Sequence, residues 1–235
     1  MNKKLVTKIL LVVFAVIFVF MMSFAIYASI YYHSNTKIND ITEVTVSVVG
    51  DNIYLTPSDD YTQAIIFYPG GKVEPEAYLP LMAEIASRGI LTVICEMPYN
   101  LAVFDVSRAT LLLEINSGLD CYLMGHSLGG AMAASYAAKH PQSLNGLILL
   151  AAYSTKTVNI PTLSIYGSLD NILDLDKYDE CLPNLTDVEE YIIPGGNHSQ
   201  FGDYGLQRKD NESTISMATQ IAQTADKVVE FINAH

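Results

Sequence analysis

The chain has 235 residues, with 13 Lys and Arg against 25 Asp and Glu and a formal charge of −12; half of it is hydrophobic and 16% is charged. That composition excludes a disordered or low-complexity protein, and an acid excess this large leaves no basic face for a phosphate backbone, which excludes nucleic acid as a partner. Three cysteines, Cys95, Cys121 and Cys181, are too few and too irregularly spaced for a disulfide framework or a tetrahedral zinc site. The expectation is chemistry without a metal or cofactor.

Ile9 to Tyr32 is a run of 24 residues without a charge. As a helix it would be about 36 Å long, enough to cross a bilayer. Lys3, Lys4 and Lys8 precede it, no acid occurs before Asp40, and Tyr27, Tyr31 and Tyr32 mark its far end. The positive-inside bias puts the N-terminus in the cytoplasm and the remainder outside. The expectation for 1–34 is a cytoplasmic basic tip and an uncleaved transmembrane signal anchor, hence a single-pass cell-membrane protein. The alternative is secretion after cleavage near Ile26-Tyr27-Ala28, although the apolar run exceeds the roughly 7 to 15 residues of a secretory signal.

Beyond residue 34 there are 10 basic and 25 acidic residues, a net charge of −15. Such a surface avoids anionic headgroups unless a local site overrides its field. Residues 35–42 read as a short polar tether. Residues 43–235 contain no second composition break and no internal repeat, as expected of one domain. Thr45–Val49 and Ile53–Leu55, on either side of Gly50-Asp51-Asn52, predict a hairpin. Short apolar runs then recur at Ala64–Tyr68, Ile90–Ile94, Cys121–Met124 and Leu147–Leu150, with helical segments between them, and again at Thr162–Tyr166 and Val188–Ile193. Strands apolar on both sides belong in a parallel sheet covered by helices on both faces. Tyr78, Leu79, Met82, Ile85 and Ala86 recur at helical spacing and stop at Gly89. A closing helix carries the stripe Ile215, Ala218, Ile221, Ala222, Ala225, Val228, Val229 and Ile232, with Ser213 as the predicted N-cap.

After the strand ending at Met124 comes Gly125-His126-Ser127-Leu128-Gly129-Gly130, followed by an Ala-rich helix. This is a G-x-S-x-G pattern in a strand–turn–helix setting. The turn must be tight enough to strain the serine backbone, and only glycines two residues to either side tolerate the close passage of neighbouring chain. Ser127 Oγ is then presented at a helix N-terminus, whose N–H groups favour developing negative charge. Two later strands end in Gly167-Ser168-Leu169-Asp170 and in Pro194-Gly195-Gly196-Asn197-His198.

On these residues the chain resembles the α/β-hydrolase superfamily from about Thr45 to the C-terminus, in the manner of cap-less, dienelactone-hydrolase-like bacterial serine hydrolases. The resemblance implies a mostly parallel central sheet with helices on both faces in a catalytic domain at 43–235, which the apolar N-terminal run, read as one transmembrane helix, would hold outside the cell; the short loop after Leu150 adds the expectation of no cap domain. It implies a nucleophile, acid and base in the order Ser127, Asp170, His198. Asp174, Asp176 and Asp179 compete with Asp170 but fit a solvated helix. His33, His126, His140 and His235 compete with His198, yet none follows the last strand. Two backbone N–H donors must hold the oxyanion: Leu128, and Gly71 in Pro69-Gly70-Gly71-Lys72, with Lys72 the alternative if the alignment slips by one. This turn departs from the family's usual His-Gly. Lys72 and Glu74 read as solvated loop charges, and Cys95 and Cys121 as buried filler.

Only Ala151–Pro161 separate Leu150 from the next strand, too few residues for a cap. The site should be open and shallow, with Pro98–Phe104 and Asp203–Asn211 as its rim. The partners expected are a small or short-acyl ester and, through the N-terminal helix, the membrane; no protein partner is legible. The activity expected is that of a serine carboxylesterase. An amidase, peptidase or thioesterase with the same residues is the alternative, as is a silent binding module on this scaffold. Asn197 lies in a sequon, Asn-His-Ser, where a glycan would crowd the site, so a bacterial source fits better.

Overall fold

The computed structural model describes residues 3–235 and comprises two units, one ending at Tyr31 and the other Tyr32–His235. The first is helix α1 (Lys3–Ser29), whose most apolar stretch reaches a mean hydropathy of 3.1. A helix apolar on all sides is long and apolar enough to cross a membrane.

In the second unit one sheet of eight strands follows the order β1-β2-β4-β3-β5-β6-β7-β8. β1 (Thr45–Val49) and β2 (Asn52–Thr56) form the expected antiparallel hairpin, and β2 adds antiparallel to β4 (Leu91–Cys95). All other neighbours pair in parallel: β3 (Gln63–Tyr68), β5 (Asp120–His126), β6 (Gly146–Leu150), β7 (Thr162–Gly167) and β8 (Val188–Ile193) complete the sheet. β4 and β6 are buried at every position, because helices cover both faces. On one face α2 (Leu79–Ala86) and α6 (Met217–Ala234) pack over Ile65, Phe67, Met124 and Ile148; on the other α3 (Arg108–Ile115) and α4 (Leu128–Ala137) pack over Ile66, Leu123, Leu147 and Leu149. A short α5 (Leu175–Cys181) precedes β8. The segment between β6 and β7 holds no helix, and no cap domain is present among the described residues.

Three local expectations change. Residues 35–42 are not a loose tether. Asn35 and Thr36 side chains donate to the Asp203 carboxylate at 2.9 and 2.8 Å, and Ile38–Asp40 forms a 3-10 turn. The N-cap of α6 is Ser216, which accepts from Thr219 N–H, whereas Ser213 Oγ is drawn to the Gly195 carbonyl at 2.7 Å. The buried face of α6 is Gln220, Ile221, Thr224, Ala225, Val228, Phe231 and Ile232, so Ala218 lies exposed and the helix turns two polar side chains inward.

Candidate active site

The carboxyl ends of the parallel strands β3, β5, β7 and β8 carry the loops in which the sequence places its chemistry, the usual location of a site in an open α/β sheet. β5 runs on past Met124, so Gly125 and His126 pair with Leu149 and Leu150 before the chain turns. Ser127 follows with φ 52° and ψ −121°, a conformation disfavoured for a residue with a Cβ. It persists because the turn is fixed on both sides: Ser127 N–H donates to Leu150 O at 2.9 Å and Ala131 N–H to Ser127 O at 3.0 Å. A Cβ at Gly125 would lie 2.7 Å from Gly129 and Gly130 backbone atoms, and one at Gly129 would overlap the Tyr68 and Pro69 carbonyls. Any larger residue at either position forces the elbow open.

Asp170 and His198 meet from two different loops. His198 Nδ1 lies 2.8 Å from Asp170 Oδ2, and the pair is almost wholly withdrawn from solvent. The other oxygen, Oδ1, accepts the N–H groups of Ile172 and Leu173, both at 2.8 Å. Both carboxylate oxygens are therefore hydrogen-bonded, as a buried polar group requires. His198 Nε2 is buried and has no hydrogen-bond partner among the described residues. His198 lines a cavity of about 280 Å³ with Ser127, Leu128, Ala131, Ala151, Ala152, Tyr153, Ile172, Leu173 and Asp174. Of the competing acids, Asp174 caps α5 by accepting Lys177 N–H at 3.0 Å, while Asp176 and Asp179 lie exposed on that helix. Ser127 and His198 thus line one cavity, with Asp170 behind His198 and joined to it by their hydrogen bond, and His33, His140 and His235 do not line it.

The turn after β3 offers three successive N–H groups. Gly70 N–H is held by Tyr78 Oη at 2.9 Å and Lys72 N–H by Asn100 O at 2.7 Å. Lys72, the alternative donor, is therefore already engaged. Gly71 packs against Leu128, whose Cδ2 would lie 2.8 Å from a Cβ placed there, so the two expected oxyanion donors lie side by side. Glu74 differs from expectation: instead of being a solvated loop charge, it accepts Ser34 N–H at 2.6 Å and approaches His33 Nδ1 at 2.8 Å. Partial burial works against its ionisation, but the Ser34 and His33 hydrogen bonds prevail and hold the carboxyl below the ordinary range.

Four positioning side chains lay outside the sequence reading. His126, which competed with His198 in the sequence, is 1% exposed, packs against His198 with the rings tilted by 47° at a separation of 4.5 Å, and places Nδ1 2.8 Å from Tyr78 Oη. Burial, with the His198 imidazole adding to it, pushes the His126 pKa well below the ordinary value. Burial likewise pushes the Tyr78 phenol up. Two neutral groups thus link Gly70 to the ring beside His198. Gln220 grips the histidine loop by accepting Asn197 N–H at 3.0 Å and donating to Asn197 O at 2.8 Å. Asp210 ties both loops together: Oδ2 accepts Ser199 N–H and Oγ–H at 2.9 and 2.6 Å, and Oδ1 accepts Asn171 N–H at 3.2 Å. The one legible signal was polar Gln220 and Thr224 standing at i, i+4 in line with Val228 on an otherwise apolar face. Asn197 itself is 1% exposed, with its side-chain amide on Asn211 O at 2.8 Å. Cys95 and Cys121 are buried fillers, as expected; burial raises both thiols, Cys121 to about 11, far from a nucleophile's range.

Comparison with known proteins agrees with this geometry at the level of fold. Similar solved structures include MGS-MChE2, an alpha/beta hydrolase enzyme from the metagenome of Mar Chica lagoon sediments in Morocco, at 14% identity and TM-score 0.61, covering 81% of this chain and 98% of that one. A membrane phospholipase A described as a bacterial virulence factor aligns at 14% identity and TM-score 0.61, covering 100% of this chain and 99% of that one. A dienelactone hydrolase from Anabaena variabilis aligns at 16% identity and TM-score 0.56, covering 78% and 94% respectively. None of the curated proteins compared matches the sequence. The family model described as "Alpha/beta hydrolase family" matches residues 64–222, the stretch that contains the elbow, the acid turn and the histidine loop, and the chain belongs to that family.

Proposed function

We propose that this hydrolase is a membrane-anchored serine esterase that cleaves a carboxylic ester through an acyl-enzyme. The observation that carries the reading is the buried His198–Asp170 pair, whose Nε2 has no hydrogen-bond partner among the described residues and whose histidine lines the same cavity as the strained Ser127. In this reading Ser127 Oγ attacks the ester carbonyl carbon as its proton passes to His198 Nε2. Asp170 orients the ring and stabilises the imidazolium, and the N–H groups of Leu128 and Gly71 hold the oxyanion. Collapse of the tetrahedral intermediate breaks the bond to the alcohol, which leaves with the proton from His198. Water then gives a proton to His198 and attacks the acyl carbon, releasing the acid and restoring Ser127. Every step uses groups the chain itself supplies. Helix α1 is the anchor, with Lys3, Lys4 and Lys8 on the cytoplasmic side and the hydrolase unit outside.

The test is covalent labelling. A fluorophosphonate probe should add one adduct to the folded wild type, visible by intact mass and mapping to Ser127. Ser127→Ala should carry none. An adduct that persists in that variant, or an unlabelled wild type that hydrolyses no ester, defeats the reading. Digestion of intact spheroplasts with added protease should remove the hydrolase unit, whereas a soluble species beginning near Ser29 would mean that α1 is cleaved.

A further inference from the structure

The hydrolase unit begins, at Tyr32, beside the active site. Tyr32 N–H donates to Lys72 O at 2.7 Å, Glu74 N–H donates to Tyr32 O at 3.0 Å, and Lys72 N–H donates to Asn100 O at 2.7 Å. Arg208 N–H donates to Tyr32 Oη at 3.1 Å. The first ordered residues of the hydrolase unit are therefore stitched to the turn that carries Gly71 and to both rim loops. Ser29, the last residue of α1, precedes Tyr32 by three residues, a reach of at most about 11 Å whatever direction the helix takes.

The rim at this place is unlike the rest of the unit. Tyr99, Val103 and Phe104 on one loop are 59%, 44% and 52% exposed, and Leu206 on the other is 50% exposed. The unit carries net charge −15, yet Lys37, Lys72, Arg208 and Lys209, four of its ten basic residues, lie on the segments bonded to Tyr32–Ser34 or following them. Three of the nearby acids are turned inward, Glu74 onto Ser34 and His33, Asp203 onto Asn35 and Thr36, and Asp210 onto Ser199 and Asn171, while Asp40 and Glu212 stay exposed. Apolar side chains interleaved with cations, in an otherwise acidic surface, form the local site that can rest on a lipid interface.

We propose that the catalytic mouth rests on the bilayer and that the substrate is a carboxylic ester of a membrane lipid, attacked while its long chains stay in the membrane. The proposal rests on the anchored-esterase reading and names its substrate class. It also accounts for the missing cap. A long acyl chain is costly to expose to water, at about 0.8 kcal/mol per CH₂, and a soluble enzyme must cover it with protein; here the bilayer supplies that cover. Val103, Phe104 and Leu206 seated at the boundary between headgroups and acyl chains would bring Ser127 toward the depth of the lipid ester carbonyls.

The experiment uses the full chain in vesicles of ether-linked phosphatidylcholine and phosphatidylglycerol carrying a trace of dipalmitoyl phosphatidylglycerol. Palmitate release is read by mass spectrometry, and p-nitrophenyl butyrate hydrolysis is measured in the same vesicles. Wild type should release palmitate. The double variant Val103→Asp/Leu206→Asp should lose about tenfold or more of that activity while hydrolysing the butyrate within about twofold of wild type, which also shows that it is folded. A flexible Gly/Ser insertion between Ser29 and Ile30 should give the same split. Palmitate release unchanged in these variants, or none from a wild type that cleaves the butyrate, overturns the proposal. A wild type that cleaves neither, or a Ser127→Ala variant that cleaves both, overturns the esterase reading and this proposal with it.

Discussion

The elbow and the Asp170–His198 pair are built in opposite ways. Ser127 is presented by a contiguous stretch in which glycines, strand end and helix start all lie within a few residues, and its strain is held by backbone hydrogen bonds to adjacent strands and to its own helix. Asp170 and His198 instead come from loops 28 positions apart in sequence. They are aligned by side chains from elsewhere: Gln220 from the last helix and Asp210 from the rim. The elbow needs a motif, whereas the Asp170–His198 pair needs a framework. A local motif tolerates change far away and fails abruptly when one of its own residues changes; a framework degrades in steps as its distant supports are removed.

The largest expected effect lies in the pair itself. Asp170→Asn keeps the shape but removes the charge that fixes the His198 ring, and should lower kcat by about four orders of magnitude with little change in KM. Asp174→Asn, which keeps an oxygen able to accept Lys177 N–H at the start of α5, should leave both kcat and stability in denaturant unfolding near wild type. A collapse of kcat in Asp174→Asn with a near-normal Asp170→Asn would reverse the assignment. Next come the supports. Gln220→Leu and Asp210→Asn should each lower kcat by roughly ten- to a hundredfold through misplacement of the histidine loop, while fluorophosphonate labelling of Ser127 slows but is not abolished. Unchanged kcat in both variants would mean that the Asp170–His198 pair is as self-contained as the elbow.

A smaller effect is expected at Tyr78→Phe, which leaves Gly70 N–H and His126 Nδ1 without their shared partner. The stability cost should be about 1 to 3 kcal/mol, and kcat should fall about tenfold as the Gly71 turn loses its alignment. The smallest concerns His126 and pH. Its folded pKa is lowered by burial and by the His198 imidazole, so below about pH 6.5 the unfolded chain takes up a proton that the folded one refuses. Stability should therefore be full above that pH and fall as pH falls through it, and His126→Leu should flatten that part of the profile. An unchanged profile would remove His126 from the account.

How much of this was legible follows from the same contrast. The G-x-S-x-G stretch and the alternating apolar runs are local features that a sequence displays directly, whereas the order Ser127, Asp170, His198 was legible only through the resemblance to the α/β-hydrolases. Chain order alone could rank Asp170 above Asp174, because one ends a strand and the other starts a helix. It could not reveal that His126 is buried against His198, since the position inside an elbow carries no periodic signal. Nor could it place Asp210, whose loop has the composition of a solvated rim. Residues 35–42 look like a tether for the same reason: Asn, Thr and Lys are as common in a free linker as in a strap hydrogen-bonded to Asp203.

By itself, the sequence determined the fold class, the mostly parallel sheet, the long apolar helix and the residues most able to do chemistry, because each depends on spacing that any chain with these residues must obey. Only the tertiary structure decided which N–H groups of the Gly70–Lys72 turn are already engaged, which polar side chains of α6 point inward, and that Tyr32, the first residue of the hydrolase unit, is hydrogen-bonded to the rim of the site. Those depend on contacts between residues as far apart as Tyr32 and Arg208, and hydrogen bonds across such distances are formed by packing, for which no run of neighbouring residues carries a signature.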